Sequence, residues 1–415
     1  MAKIITSDVL VIGGGAAGIA AACAAASAGL KVALIERHSY LGGKATAAVV
    51  GTLCGLYLRK KNTNAEYVCN GFSKSVAQQL QVLSNTFPQS NADGLHFLPY
   101  HPFKFKILAD RLLQDAGVEL FLHSTLTSCK HAATGIESVS VLVFDEEITF
   151  VSKQYIDCSG DALLADKAGI KMCAEDTYQA AAHVFEVHNI SAATEHALGF
   201  IMLREISKAI EQGKLSSSFQ RTSIVPGSMQ QNKVLIKVGL PLPISLSLNS
   251  VTQIEVEARK LVNELFDFLH SSVSAFTSAI LGEVAAESGI RTGKRPIGNY
   301  VLNEQDVLSC RKFKTGIANG SWPVEFWEPT KKVHMSYFAE GDYYQIPAEC
   351  LSANKVSNLY FAGRIISADS TAIASARVIG TCLQTGYAAG KLAAAKIQNT
   401  PIELAIEQIR LDQLV

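Results

Sequence analysis

Residues 8–45 read DVLVIGGGAAGIAAACAAASAGLKVALIERHSYLGGKA, and the order of residue types in this stretch decides the fold. Asp8 to Ile12 is a β-branched and leucine run, Gly13, Gly15 and Gly18 supply G-x-G-x-x-G, Ala17 to Ala28 is a small-residue helix, and Lys31 to Ile35 is a second apolar run closed by Glu36. Strand, glycine turn, helix and strand in that order form the unit that binds a dinucleotide. Gly13 permits the tight turn, Gly15 lets a pyrophosphate approach the backbone, and Gly18 lets the helix lie close to the strand. The phosphates then sit on unpaired N–H groups where the helix begins, around Ala16, Ala17 and Gly18, at the end of the dipole that favours negative charge. Glu36 lies 18 residues after Gly18, near the ~20 expected for a carboxylate that accepts from ribose hydroxyls. Arg37 comes directly after it.

Val9 to Ile35 contains one charged side chain, Lys31, and is long enough to span a bilayer. Its middle is alanine and glycine, whose transfer to hydrocarbon gains little, and no basic n-region precedes it, so neither a membrane helix nor a signal peptide is expected. The reading is a soluble, cytoplasmic protein that begins with its first strand. With 415 residues and 48% apolar composition the chain can bury a large core, as one large or two interwoven domains. Lys and Arg total 37 and so do Asp and Glu, so no basic excess exists to drive binding to nucleic acid. The nine cysteines are scattered, with no C-x-x-C pair, which argues against a metal site, a disulfide framework and a redox dithiol. They read as small buried hydrophobes in a reducing compartment.

The residues after Glu36 narrow the cofactor. A nicotinamide dehydrogenase would continue its doubly wound sheet, whereas Leu41-Gly42-Gly43-Lys44-Ala45-Thr46 arrives at once, a second glycine turn that faces the same diphosphate. The arrangement Glu36-Arg37, Gly42-Gly43, Ala45-Thr46 resembles the flavoproteins of the glutathione reductase type, in the branch with succinate dehydrogenase, fumarate reductase and L-aspartate oxidase. It is closer still to the broad group called FAD-dependent oxidoreductases. Tyr155 to Ala162 is similar to the strand and turn ending Ala-Thr-Gly-Asp in those proteins, with Cys158 and Ser159 keeping small size and a hydroxyl. Ser288 to Arg295, with Ile297 to Leu302 after it, resembles their Gly-x-Arg-x-x-x-Arg segment and the next strand. Tyr344 to Pro347, Asn358 to Ala368, Ser375 to Cys382 and Gly386 to Gly390 look like the C-terminal FAD signature.

The resemblance implies FAD, held by Gly43, Lys44, Ala45 and Thr46, by Ser159, Gly160 and Asp161, by Gly363 and Arg364, and by Gly380 and Thr381. It also implies that Leu126 meets the adenine through backbone atoms, and that the helix starting at Gly380-Thr381 points its free N–H groups at the flavin edge where negative charge accumulates during reduction. The expected fold is α/β: a Rossmann-like FAD-binding domain, parallel sheet plus antiparallel β-meander, with an inserted α+β substrate domain. Residues 1–54, 99–171 and 339–415 form the FAD-binding domain, 55–98 a cap or lid, and 172–338 the substrate domain. Pattern places a helix at Pro102 to Ala116, a strand at Val118 to Leu122, and meander strands at Leu126 to Ser128, Ser138 to Phe144 and Ile148 to Ile156. It continues with a short helix at Asp161 to Gly169, strands at His183 to His188 and Val234 to Gly239, and a helix at Val251 to Phe268. A loop rich in Trp, Pro and Gly comes next at Gly316 to Pro329, and an exposed helix or tail at Pro401 to Val415.

The chemistry implied is hydride transfer between a small organic substrate and flavin N5, with oxygen, a quinone, a nicotinamide or a protein as second electron partner. No second G-x-G-x-x-G appears, so a separate nicotinamide domain is not expected. Arg291 and Arg295, in a glycine-rich turn, suit clamping a carboxylate or donating a proton. Arg377 precedes the flavin helix, and His334, in the crossover back to the FAD domain, is a residue type suited to carrying a proton. Tyr57 and Cys54 come after the second glycine turn and approach the flavin from the other side. The alternative is a protein that keeps FAD as structural glue or as a redox-sensing module without turnover; an enzyme using NAD alone would be colourless.

Overall fold

The structure is a computed structural model that describes all residues except 1–2, 133–134, 174–177, 329–332, 354 and 415. Pro329 and Val415, the ends of two expected segments, therefore lie outside the described residues. The first apolar run is longer than its pattern suggested: the strand covers Lys3–Ile12, and only Val9 to Ile12 are buried, as a central parallel strand with both faces covered requires. Glu119–Phe121, Val32–Ile35, Lys3–Ile12 and Glu146–Asp157 lie side by side and parallel, and Leu359–Phe361 adds to the far side of Glu146–Asp157. Glu146–Asp157 is shared by two arrangements. Its first half pairs antiparallel with Gly135–Val143, itself paired with Ser124–Ala132, while its last three residues pair with Leu359–Phe361. Parallel layer and meander thus form one seven-stranded sheet, the mixed α/β architecture expected.

Two alanine-rich helices, Ala16–Ala26 and Ile379–Ile397, pack along each other across this sheet. A Cβ at Gly386 would lie 2.1 Å from the Ala17 carbonyl oxygen, and one at Gly390 would lie 2.3 Å from that of Ala21. The backbones therefore touch at a distance that only glycine allows. This contact joins segments more than 360 residues apart in the chain.

The apolar core around the helix pair takes in Leu56, Tyr57, Val68, Val76 and Leu80, so much of the segment read as a cap or lid is a packed wall of the same core. The same core takes in Leu302, Val307, Ile317 and Ala318, well before the expected boundary at residue 338. A second core lies between a four-stranded antiparallel sheet, in the order Thr222–Ile224, Val234–Gly239, Ala182–His188 and Ile280–Val284, and the helices Glu195–Glu211 and Leu248–Ser272. The last helix starts three residues earlier than its apolar period indicated because the Ser247 hydroxyl caps it, accepting from the Ser250 N–H.

Two expected segments differ. The stretch read as a loop from Gly316 contains the strands Gly316–Gly320 and Val324–Phe326, which pair with Tyr344–Pro347 and His334–Ser336. Tertiary pairing here overrides the weak local propensity of glycine and proline. Ile402–Gln413 is a docked helix rather than an exposed tail: Ala405, Ile406 and Ile409 are buried at helical spacing, and the buried Gln413 amide donates to the carbonyls of Ile317 and Gln384. Among the described residues no helix is long and apolar enough to cross a membrane.

Candidate functional site

Four parallel strands end at Ile12, Ile35, Asp157 and Phe361, and the residues just beyond them converge on one groove. Gly13, Gly15, Ala16 and Ala17 line it, as do Glu36, Arg37 and His38, Cys158, Ser159 and Gly160, and Ala362, Gly363 and Arg364. The second glycine turn adds Gly42, Gly43, Lys44 and Ala45. A crevice at the carboxyl ends of parallel strands is where open α/β sheets take their ligands. At Gly13, φ is +98° and a Cβ would meet the Cys158 carbonyl oxygen at 2.6 Å. At Gly15 the nearest atom to such a Cβ is Gly43 Cα, 3.9 Å away, so the free space beside it is the groove itself.

The buried Glu36 carboxylate accepts from the Gly14 N–H at 2.6 Å and from the His38 N–H at 2.9 Å, tying the first turn to the end of the second strand. Across the groove, Glu287 pairs with Lys44, with His38 at 2.6 Å and with Arg37 at 3.7 Å. Burial disfavours the Glu287 carboxylate, but hydrogen bonding and attraction from His38 and Lys44 outweigh it and hold the group well below the usual carboxylate range. Burial lowers Lys44, with Glu287 opposing that shift. Arg364 binds three segments together, donating to the carbonyls of Gly160 and Ile290, each at 2.6 Å, and to Asp161 at 3.0 Å.

Several residues expected at the cofactor hold the groove rather than line it. Gly18 packs where a Cβ would sit 1.8 Å from the Gly13 carbonyl oxygen. The buried Thr46 hydroxyl closes its own turn on the Leu41 carbonyl at 2.7 Å, and Asp161 accepts from Arg364 at 3.0 Å; the Leu126 side chain packs in the meander core, which leaves its backbone as the expected contact. The Gly380 N–H donates to the Cys54 carbonyl at 2.9 Å. Thr381 is fully buried, and its hydroxyl has no partner. Glu287 is the residue that sequence reading missed: a lone acid ahead of Ser288 carries no signal until the fold brings it to Lys44. His38, which follows Arg37 directly, was missed as well.

A second cluster adjoins the groove at Arg377, which lines it and also reaches Gln179 Oε1 at 3.2 Å. Arg291 lies 4.4 Å over the Trp327 ring, Lys237 lies 5.0 Å from the same ring, and Trp322 Nε1 donates to Glu325 at 3.0 Å. Burial disfavours the charges of Arg291, Arg377 and Lys237; Arg377 adds to the effect on Arg291, and Arg291 to that on Lys237, while Glu325 opposes it at all three. Burial also works against the Glu325 carboxylate, but Arg377, the Trp322 indole, Arg291 and Lys237 together keep it below its ordinary range. Cys54 feels this cluster; burial first, then Glu325, pushes its thiol up to about 12, so it is not a thiolate.

The fold thus brings Arg291 and Arg377 together and leaves three other candidates elsewhere. Tyr57 is buried in the first core, its ring 4.7 Å from Tyr67, and burial raises its phenol. Arg295 is a structural guanidinium, 1% exposed, donating to the Ala368 carbonyl at 2.8 Å. His334 is exposed on a strand paired with Phe326, outside the groove lining. Spacing in a turn could not separate Arg291 from Arg295, since which of the two faces inward depends on distant carbonyls.

The family described as FAD dependent oxidoreductase matches residues 8–414. No curated protein matches the sequence. Among solved structures, a geranylgeranyl bacteriochlorophyll reductase-like protein from Thermoplasma acidophilum is similar at 14% identity and TM-score 0.51, over 99% of this chain and 83% of that one. The anhydrotetracycline hydroxylase of Streptomyces rimosus is similar at 11% identity and TM-score 0.52, over 98% of this chain and 65% of that one. At such identities the likeness is one of fold.

Proposed function

The chain belongs to the FAD dependent oxidoreductase family, and from that premise we propose that its substrate meets the flavin where the groove opens onto Arg377, Arg291 and Lys237. The protein is an FAD-dependent enzyme with a redox function. The observation that carries the placement of its active centre is Arg377, which belongs at once to the groove lining and to the cationic cluster.

The groove fits FAD. Free space beside Gly15 accommodates a diphosphate against the start of the helix Ala16–Ala26, and Glu36 keeps lone pairs for a ribose beyond the two N–H groups it accepts from. The buried, partnerless Thr381 hydroxyl, at the start of the helix Ile379–Ile397, marks the ring end. When bound, FAD supplies two-electron chemistry at its ring. The chain's own residues do the rest. Lys44, held by Glu287, places positive charge near the diphosphate. Arg364 fixes the turn at Gly160 and, through Ile290, the neighbour of Arg291. Arg377 and Arg291 orient the substrate, and the walls around Trp322 and Trp327 limit water.

The Gly-Gly-x-Ala-Thr turn and the Ser-Gly-Asp turn favour placing the chain near the glutathione reductase and fumarate reductase branch. The scattered thiols favour a cytoplasmic location, and a small organic molecule is the substrate; oxygen, a quinone, a nicotinamide or a protein completes the electron circuit. Purified protein is expected to be yellow and to release FAD on denaturation, identified by chromatography, with bleaching by an added reductant and recovery in air. A colourless preparation that takes up no FAD on reconstitution overturns the reading; retained FAD that neither bleaches nor recovers favours the structural or sensing role.

A further inference from the structure

We propose that Glu287 is a clasp at the mouth of the groove: its ion pairs join the segment after the strand Ile280–Val284 to the second glycine turn, and FAD enters and leaves when they open. The inference rests on the groove being the FAD site, and it concerns passage of the cofactor rather than its chemistry. Glu287 pairs with Lys44, with His38 at 2.6 Å and with Arg37 at 3.7 Å. All four residues line the groove. All four also reach solvent, the side chains being 18% exposed at Glu287, 25% at Lys44, 26% at His38 and 49% at Arg37. Groups that face both groove and solvent stand at its mouth.

The two sides of the clasp come from different parts of the fold. Arg37 and His38 follow Glu36, the expected ribose acceptor, and Lys44 follows Gly43 in the second glycine turn. Glu287 comes after the strand Ile280–Val284, which belongs to the sheet that covers the second core. Its carboxylate thus spans the stretch of groove between the ribose acid and the diphosphate turn. Lys44 adds to the closure by donating to the Ser288 carbonyl at 3.1 Å. The backbone is fixed on both sides: the Glu287 N–H donates to the Ala47 carbonyl at 3.2 Å, the Ser288 N–H to Glu255 at 2.9 Å, and the Gly42 N–H to the Gly14 carbonyl at 2.8 Å. Opening therefore needs side-chain rotation alone, and glutamate and lysine have several staggered rotamers to turn into. What resists opening is the loss of pairs that are partly buried and so only partly screened.

Full-length protein stripped of FAD is mixed with FAD, and the loaded protein is then diluted, while flavin fluorescence follows uptake and release. Glu287→Gln keeps the size of the side chain and removes its charge. It should speed uptake and release alike, each by about tenfold, between the effects of exposed and of buried pairs. The signs separate the clasp from its alternatives. Lost support for the groove would speed release and slow uptake, whereas cations freed to attract the diphosphate would speed uptake and slow release. In the unaltered protein, added salt should speed exchange towards the rates of the variant, because it screens the pairs that Glu287 makes. This second measurement stands even where the variant is unstable, and circular dichroism checks its fold. Equal rates in the two proteins at low salt, opposite changes in uptake and release, or exchange in the unaltered protein that salt leaves unmoved overturns the proposal. Protein that takes up no FAD refutes the flavin reading itself; protein that takes up FAD at rates indifferent to Glu287 keeps that reading and loses the clasp.

Discussion

Gly15 separates folding from cofactor retention. A Cβ there meets no protein atom closer than 3.9 Å, so Gly15→Val should leave the fold intact while filling the space a diphosphate needs. The expected product is a stable, colourless protein, and thermal denaturation together with flavin content measures both halves. Glu36→Ala is different, because it strands the Gly14 N–H as well as removing a ribose acceptor. An unmet buried donor costs about 1–3 kcal/mol, so FAD dissociation should accelerate by one to two orders of magnitude, with the absorption spectrum of the protein that still holds FAD unchanged. For Glu287 the sign comes from its depressed pKa: its ion pairs are intact above the ordinary carboxylate range and are lost as pH falls through the lower folded value. Glu287→Gln should flatten that acid limb in a pH series of melting temperatures. Glycines and Glu36 were legible because a dinucleotide dictates their spacing. Glu287 was not, since its role exists only after a distant segment returns to Lys44.

The most exacting element is the pair of helices Ala16–Ala26 and Ile379–Ile397. Gly386→Ala places a methyl 2.1 Å from the Ala17 carbonyl oxygen, inside any tolerable contact. Overpacking of this kind typically costs about 1–3 kcal/mol, and the strain falls on the turn that carries Gly15. The melting temperature should drop, and FAD content should fall with it; an unchanged melting point would mean that the helices separate cheaply. Strands with both faces covered and helices with a clear apolar period were readable from local pattern, to within a few residues. Gly316–Gly320 and Val324–Phe326 were not, because such short strands owe their geometry to partners such as Tyr344–Pro347 rather than to their own residues. Ile402–Gln413 was half legible: the helix is local, while its docking through Gln413 is tertiary.

At the scale of the whole molecule, the groove is built from segments at both ends of the chain and several between, so ligand and fold are coupled. Free FAD at about a hundred times its dissociation constant adds about 2.7 kcal/mol to stability, seen as a rise of a few degrees in the melting temperature of reconstituted apoprotein; no rise would mean that the groove binds something else. The α/β class and the meeting of the termini were legible because G-x-G-x-x-G and the C-terminal signature each describe half of one ligand. The extent of the second core was not, since the chain re-enters the first at Leu302 without any break in composition. The partnership of Ala17 with Gly386 also orders events during synthesis. On a ribosome the βα unit that carries Ala16–Ala26 waits, alanine face uncovered, until the helix Ile379–Ile397 has emerged. The groove is therefore completed only when the helix Ile379–Ile397 joins it, and a chain caught before that step is the form in which a holdase chaperone has most to protect.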